Sequence, residues 1–114
     1  MYRLEETVNF VVSENGVLNV NKVFNFVDST VTEFVINNYA IPNLTVDMVL
    51  EIGRITTCKY IYIESDKDVT VKFNSTSNTG YSTRFILINT SATSIYVSNS
   101  SGQVANVKVI LLGI

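Results

Sequence analysis

The feature that most constrains this chain is the repetition of short runs of β-branched and aromatic residues along its length. Examples are T-V-N-F-V-V at 7–12, V-T-E-F-V-I at 31–36 and R-F-I-L-I-N at 84–89. Residues with a branched Cβ fit a pleated sheet better than a helix, and aromatic residues share this preference. No segment has the apolar period of an amphipathic helix. The sequence therefore predicts an all-β protein.

The spacing of these runs predicts one domain over residues 1–114, with about eight or nine short antiparallel strands. Asn15-Gly16 tolerates the positive φ of a type I′ hairpin turn, so a hairpin is expected there. The polar residues 28–30 and the single proline, Pro42, indicate further bends. Short strands joined by such turns are typical of a β-sandwich or jelly roll, which is the expected fold.

Two segments are expected to lie outside the packed strands. Residues 1–6 precede the first alternating run and are a candidate extended N-terminal arm. The longest polar run, at 75–82, is expected to form an exposed tip between strands. The candidate contact residues of this tip are Ser75, Thr76, Asn78 and Tyr81.

Charge and residue usage exclude several functions. Only 16% of the residues are charged and the net charge is -2, so no basic stripe is available to neutralise nucleic-acid phosphates. There is no histidine and one cysteine, Cys58, which removes imidazole bases, Ser-His and Cys-His nucleophile pairs and intrachain disulfides. We expect a protein that is not an enzyme and that needs no cofactor or metal.

Targeting signals are also missing from the pattern. The start, M-Y-R-L-E-E-T-V, lacks the apolar region of a signal peptide, and no run approaches the roughly 18 apolar residues of a membrane span. We therefore expect a soluble protein made without a cleaved signal. Four Asn-x-Ser/Thr sequons are attributed to the abundance of Asn, Ser and Thr rather than to glycosylation.

The stretch Y-I-Y-I-E-S-D-K-D-V-T-V-K-F at 60–73 carries three close carboxylates, Glu64, Asp66 and Asp68. It loosely matches S-I-Y-V-S-N-S-S-G-Q-V-A-N-V-K-V-I at 94–110, in which no carboxylate remains. Both read as strand, polar bend, strand, so turn chemistry alone explains the acids. A calcium loop is the alternative, but the sixth and twelfth positions counted from Asp66 are Val71 and Ser77 instead of glycine and glutamate.

Aromatic residues offer a second kind of site. Tyr60 and Tyr62 alternate with isoleucines and are expected on one face of a strand, where aromatic rings can stack on sugars. The simpler interpretation is that both faces of this strand are buried. Together with Tyr81 and Tyr96, these tyrosines define the carbohydrate-binding alternative.

The C-terminal run V-K-V-I-L-L-G-I is apolar at successive positions from Val109 to Leu112. A strand with one face in water does not carry such a run, so both of its faces must be covered. Either the strand lies centrally in the domain or part of it packs against a neighbouring copy. The candidate assembly surface consists of Val109, Ile110, Leu111, Leu112 and Tyr2.

The C-terminal half, residues 58–113, resembles the small β-rich virion proteins of tailed bacteriophages, especially capsid decoration (cement) proteins, through the two hairpin-like stretches quoted above. The resemblance implies a protein that binds a capsid lattice, often as a homotrimer, and reinforces it. It implies no catalytic or ligand residue, because that function belongs to a surface.

The expectation that follows is a non-enzymatic virion structural protein. Its partners would be its own copies and a major capsid protein, with no nucleic acid and no membrane, and assembly would take place in the bacterial host cytoplasm. Affinity would come from shallow contacts repeated over many copies. The alternative is a carbohydrate-binding or adhesin module of a phage tail or baseplate.

Overall fold

The computed structural model describes residues 4–14, 17–28 and 30–114. These residues form an all-β fold without a helix, as expected from the sequence. The strands are β1 (Leu4–Glu14), β2 (Val17–Asp28), β3 (Glu33–Ile41), β4 (Thr45–Val49), β5 (Cys58–Phe73), β6 (Tyr81–Ala92), β7 (Ile95–Asn99) and β8 (Ala105–Gly113).

The first two strands form a two-stranded antiparallel sheet of their own, which is the hairpin expected around Asn15-Gly16. Its register pairs Leu4 with Asp28. The candidate arm at residues 1–6 therefore belongs to this hairpin from Leu4 onward. Residues 1–3, which include Tyr2 of the candidate assembly surface, lie outside the described residues.

The other six strands form one curled antiparallel sheet in the order β3-β8-β5-β7-β4, with β6 on the second edge of β5. The long strand β5 pairs with three of the other strands, β6, β7 and β8. Tyr60 pairs with Leu112 of β8 on one side and with Asn89 of β6 on the other. Further along β5, Thr70 pairs with Ser98 of β7 on one side and with Ser82 of β6 on the other. Strand β5 thus joins the two halves of the sheet.

The acidic stretch is not the hairpin turn that the sequence suggested. It lies inside β5, where the register against β6 shifts between Glu64 and Val69. The turn expectation was wrong because long-range ladders before and after the polar segment, up to Ser65 and again from Val69, carry β5 on without a reversal. The matching stretch at 94–110 is interrupted at the same place: β7 ends at Asn99 and β8 begins at Ala105.

The core lies on the concave face of this curled sheet. Alternate residues of each strand are buried there, which is the period of two that a strand imposes. Burying a branched or aromatic side chain contributes roughly 1.5–3 kcal/mol relative to leaving it exposed. The residues with the lowest exposure include Ile61, Ile63, Val69, Val71, Ile95, Val97, Val107, Val109 and Leu111.

The buried side-chain amide of Asn99 connects the end of β3 to the β7–β8 connection. Asn99 is fully buried, and its Nδ2 donates hydrogen bonds to the carbonyl oxygens of Ile41 at 2.9 Å and Gln103 at 2.8 Å. Its Oδ1 accepts a hydrogen bond from the Ser101 amide at 3.0 Å. Because a buried polar group without partners costs stability, Asn99 fixes the β7–β8 connection against the end of β3.

Candidate assembly interface

The convex side of β3, β8, β5 and β6 carries a second apolar surface, here called the outer face. The register places Ile36, Ile110, Tyr62 and Leu87 in one row across the four strands. The row on one side of it contains Phe34, Leu112, Tyr60 and Asn89, and the row on the other side contains Asn38, Lys108, Glu64 and Phe85. Two of the three rows are therefore largely apolar.

Exposure on the outer face rises toward its two edge strands. On β3, Phe34 is 46% and Ile36 54% exposed, and on β6, Phe85 is 54% and Leu87 36% exposed. On the central strands β8 and β5, the apolar residues and tyrosines of the face are half-buried or buried, whereas Lys108 and Glu64 are exposed. Tyr60 is 6% exposed because Val31, from the segment before β3, packs on it together with Leu112.

The size of the outer face can be compared with that of apolar patches on other proteins. Four strands about 4.8 Å apart and three rows about 7 Å apart span on the order of 400 Å², of which the two largely apolar rows make up about 270 Å². The largest apolar patches on typical monomers cover roughly 300–600 Å² and are often functional, so this patch lies near the lower end of that range. The two central strands of this surface, β8 and β5, are paired on both sides, and the edge strands β3 and β6 are each paired with one of them.

The structure divides the candidate assembly residues of β8 between two surfaces. Val109 and Leu111 are buried in the core, while Ile110 and Leu112 lie half-buried on the outer face. Strand β8 is central, between β3 and β5, which is the first of the two situations weighed for this run, and packing against a neighbouring copy stays a prediction. The assembly surface narrows to Ile110 and Leu112 on this strand.

Three of the most exposed residues of the face were missed by the sequence reasoning: Ile36 on β3 and Phe85 and Leu87 on β6. Their runs, V-T-E-F-V-I and R-F-I-L-I-N, read as ordinary buried strands. The signal that could have found them is the same one used for β8, namely apolar residues at successive positions. It marks a strand that needs cover on both faces.

The candidate contact loop at residues 75–80 is exposed but well connected. Asn78 Nδ2 donates to the Phe73 carbonyl oxygen at 2.8 Å, and Lys72 Nζ donates to that of Thr76 at 3.0 Å. Thr76, Asn78 and Tyr81 are exposed, and Ser75 is half-buried. Tyr81 begins β6, and its ring centroid lies 6.0 Å from that of Phe73. The loop is far along β5 and β6 from the outer face.

A polar cleft of about 460 Å³ borders the outer face where β5 changes register. In it, the Asp66 carboxylate accepts one hydrogen bond from the backbone amide of Asn106 at 2.8 Å and another from the side-chain Nδ2 of Asn106 at 3.0 Å. These contacts replace the strand ladder at the bend. The lining residues are Asn38, Tyr39, Ala40, Glu64, Ser65, Asp66, Asn106, Val107 and Lys108.

Local contacts shift the pKa of two groups beside the cleft. The side-chain hydrogen bond from Asn106, followed by that from its backbone amide, lowers the pKa of Asp66. The hydrogen bond from the Tyr62 hydroxyl to Glu64 raises the pKa of Tyr62, and burial adds to this. Both shifts follow from hydrogen bonds that favour the state already present at neutral pH.

All three carboxylates of the acidic stretch have partners in the fold. Glu64 accepts from Tyr62, Asp66 from Asn106, and Asp68 pairs with Arg84 Nε at 3.0 Å. Within residues 4–14, 17–28 and 30–114, no three His, Cys, Asp or Glu side chains converge as a metal site would require. The thiol of Cys58 is buried, which raises its pKa.

The four tyrosines of the carbohydrate alternative do not form one platform. Tyr60 and Tyr62 share the outer face, as expected, but Tyr60 is buried beneath Val31. Tyr81 and Tyr96 lie in the other half of the sheet, where Tyr96 pairs with Lys72. Tyr62 and Phe85 form an aromatic pair, at 5.5 Å between ring centroids and edge to face, and Phe85 pairs across the strands with Glu64, which lines the cleft.

Comparison of the chain with family models, curated proteins and solved structures found no match. Among the described residues, no helix is present that has the length and apolar character of a membrane span.

Proposed function

We propose that this protein is a non-enzymatic structural protein that acts by assembling with its own copies on a larger protein lattice. The observation that carries the proposal is the outer face, a rigid apolar surface of β3, β8, β5 and β6 with Ile36, Phe85 and Leu87 in contact with solvent. Apolar surface of this extent favours association, because covering it removes it from water.

The surface also has the composition of an interface centre. Its middle row of Ile36, Ile110, Tyr62 and Leu87 is uncharged, and charged residues are depleted at the buried centre of protein interfaces. Lys108 and Glu64 stand in the next row, toward the cleft, as rim charges do. The low charge of the whole chain gives copies little electrostatic reason to stay apart.

The lattice that we propose is the head of a tailed bacteriophage, with this chain as a capsid decoration protein of sandwich or jelly-roll type. This part rests on the resemblance of residues 58–113 to such virion proteins. The curled sheet, with two halves joined through β5, is compatible with that architecture. Decoration requires a surface for copies and a second one for the capsid, and the exposed loop 75–80 is our candidate for the second.

Light scattering on a size-exclusion column tests the assembly part. We expect the protein to run as an oligomer, and Ile36→Lys to shift it to a monomer because a lysine in the middle row of the outer face must be desolvated on association. Val46→Lys, at an exposed apolar position on β4, is the matched control and should leave the mass unchanged. A monomer for the unmodified protein would refute the proposal.

Co-sedimentation with capsid shells tests the virion part. A gene for a major capsid protein near the gene for this chain would supply the shells. We expect saturable binding that is lost when Thr76 and Asn78 are both changed to Arg, with the far-ultraviolet circular dichroism spectrum unchanged. An oligomer that does not bind the shells would contradict the proposed role on the phage head.

A second function, carbohydrate binding, is favoured by one observation: amide and carboxylate side chains line the cleft beside the Tyr62–Phe85 aromatic pair. Sugars are recognised by hydrogen bonds to such planar polar groups combined with stacking on aromatic rings. A glycan array tests it with Phe85→Ala against Tyr81→Ala, since both rings are 54% exposed on β6. Loss of glycan binding in Phe85→Ala but not in Tyr81→Ala would support a sugar site at the cleft.

A further inference from the structure

Much of the outer face lacks cover from its own chain. In the complete chain, with the β1–β2 hairpin in place, Ile36 and Phe85 are each still 54% exposed. Within the described ranges, neither β1 nor β2 is paired with a strand of the larger sheet. An occupant from outside the copy is therefore needed to remove this apolar surface from water.

The β1–β2 hairpin has a matching need for a partner. A two-stranded hairpin is at best marginally stable in water unless one of its faces packs on something else. The register and the alternation of a strand assign the hairpin residues to two faces. All three phenylalanines of the hairpin fall on one face, here called the phenylalanine face: Phe10, Phe24 and Phe26. The opposite face has asparagine at three positions: Asn9, Asn21 and Asn25.

We infer that the occupant is a second copy of this chain, and that the phenylalanine face of its β1–β2 hairpin packs on the outer face. This inference rests on the assembly function proposed above and names the segment that makes the contact. It fixes no number of copies, because hairpins can be exchanged within a pair or passed around a closed ring.

The base of the hairpin is fixed at one end of the outer face. Val31 is fully buried, and it packs with Tyr60 and Leu112 of that face. Just before it in the chain, Thr30 Oγ1 accepts a hydrogen bond from Lys59 Nζ at 3.3 Å. The hairpin therefore leaves the larger sheet from a defined point.

The connection between hairpin and sheet favours exchange over folding back. Only residue 29 separates Asp28, the last residue of β2, from Thr30 and the buried Val31. To cover its own outer face, the hairpin would have to reverse direction within this short connection. Short hinge segments under strain favour the exchange of an element between copies.

The two surfaces are suited to packing as facing sheets. Sheets that pack face to face lie about 10 Å apart with their side chains interdigitated, and a phenylalanine contributes roughly 150–250 Å² of buried surface. The middle row of the outer face is uncharged. One lysine of the phenylalanine face, Lys22, is compatible with packing because lysine buries its stem along apolar surface and keeps its charge in water.

Exchange also gives a contact of adequate area. With eleven and twelve residues at about 3.4 Å and two strands at about 4.8 Å, one hairpin face covers on the order of 350 Å². The apolar rows of the outer face bring this to about 600 Å² per copy. Two copies that exchange hairpins reach about 1,200 Å², the lower limit of a standard stable interface. Two outer faces alone would cover less than half of that.

Photocross-linking between isotope-labelled and unlabelled copies tests the inference. The unlabelled copy carries p-benzoylphenylalanine in place of Phe24 and is mixed, under dissociating conditions, with an excess of labelled unmodified protein. After reassociation, irradiation and digestion, mass spectrometry should find the hairpin peptide joined to labelled peptides of β3, β8, β5 or β6. The same photoreactive residue in place of Val23, on the opposite face, is the matched control and should give none of these products. Attachment only to unlabelled peptides of the same copy would overturn the exchange in favour of folding back.

Light scattering separates this inference from the assembly function on which it rests. Phe24→Lys should reduce the mass to that of one chain, whereas Val23→Lys should leave the oligomer intact, with far-ultraviolet circular dichroism showing that both variants are folded. An oligomer that persists in Phe24→Lys but is lost in Ile36→Lys would overturn the hairpin contact and leave the assembly function standing. A monomer for the unmodified protein would overturn both.

Discussion

The inner and outer faces of β3, β8, β5 and β6 are made from alternate residues of the same strands, yet they are covered in different ways. On β8, Leu111 is buried in the core, whereas its neighbour Ile110 is half-buried on the outer face. Leu111 is covered by other residues of the same copy, because the sheet curls around the core. The difference teaches that an apolar run indicates how much surface needs cover and does not indicate whether the cover comes from the same copy.

The largest expected difference between the faces is in stability. Leu111→Ala should lower the free energy of unfolding by about 3 kcal/mol, because it removes a fully buried side chain and leaves a cavity. Ile110→Ala should cost about 1 kcal/mol or less at low protein concentration, and more where copies associate. Urea unfolding at two concentrations measures both. Equal and concentration-independent losses would mean that the two faces are covered alike.

Buried and exposed amides give the next contrast. Asn99→Ala should cost about 2 kcal/mol, because it leaves the Ile41 and Gln103 carbonyl oxygens without their donor. Asn106→Ala removes an exposed hydrogen bond to Asp66 and should cost clearly less than Asn99→Ala. The same unfolding experiment reports both values. The account of the core would be wrong if the two variants were equally stable.

The sequence was sufficient for the fold class and for the hairpin of β1 and β2, because alternation and Asn15-Gly16 are local signals. It was insufficient for β5. The letters S-D-K-D favour a turn, and only the ladders on either side of them, to β6 and β8 before and to β6 and β7 after, carry β5 on without a reversal. Such pairings join residues far apart in the chain, so no local pattern contains them.

Acid should act on the bend in β5 through Asp66. The Asn106 hydrogen bonds lower the pKa of Asp66 in the folded protein, so this stabilisation is complete above the ordinary aspartate pKa of about 3.9 and is lost as the pH falls through the lower folded value. Asp66→Asn should therefore flatten the decline of the melting temperature below about pH 4. An unchanged acid limb in this variant would show that the bend does not depend on the Asp66 charge.

Asn106→Ala provides the control for this pH effect. Its side chain is the largest cause of the shifted Asp66 pKa, so its removal should reproduce part of the flattening while keeping the carboxylate. Melting curves from pH 6 to about pH 2.5 by circular dichroism compare the three proteins.

The smallest effect is expected for the ion pair between Arg84 and Asp68. Both side chains are more than half exposed, so Arg84→Ala should change the free energy of unfolding by no more than about 0.5 kcal/mol. A change of several kcal/mol, read from urea unfolding, would indicate that the pair of Arg84 and Asp68 is buried in the assembled protein.

The candidate interface was only partly accessible from the sequence. Ile110 and Leu112 were identified because V-K-V-I-L-L has no polar face. Ile36, Phe85 and Leu87 were not, because which strands form the edges of a sheet follows from strand order, and strand order depends on the long-range pairing of β3 with β8 and of β6 with β5. Edge position, rather than composition, is what leaves these residues exposed.

Hydrogen exchange of the β6 backbone amides tests most directly whether another copy covers the outer face. In an edge strand, alternate amides bond to the neighbouring strand and the others face solvent. We predict slower exchange along 84–89 in the assembled protein than in the Ile36→Lys variant, because a copy packed on Phe85 and Leu87 excludes water from this part of β6. Equal exchange rates for the two proteins at assembling concentrations would contradict the account.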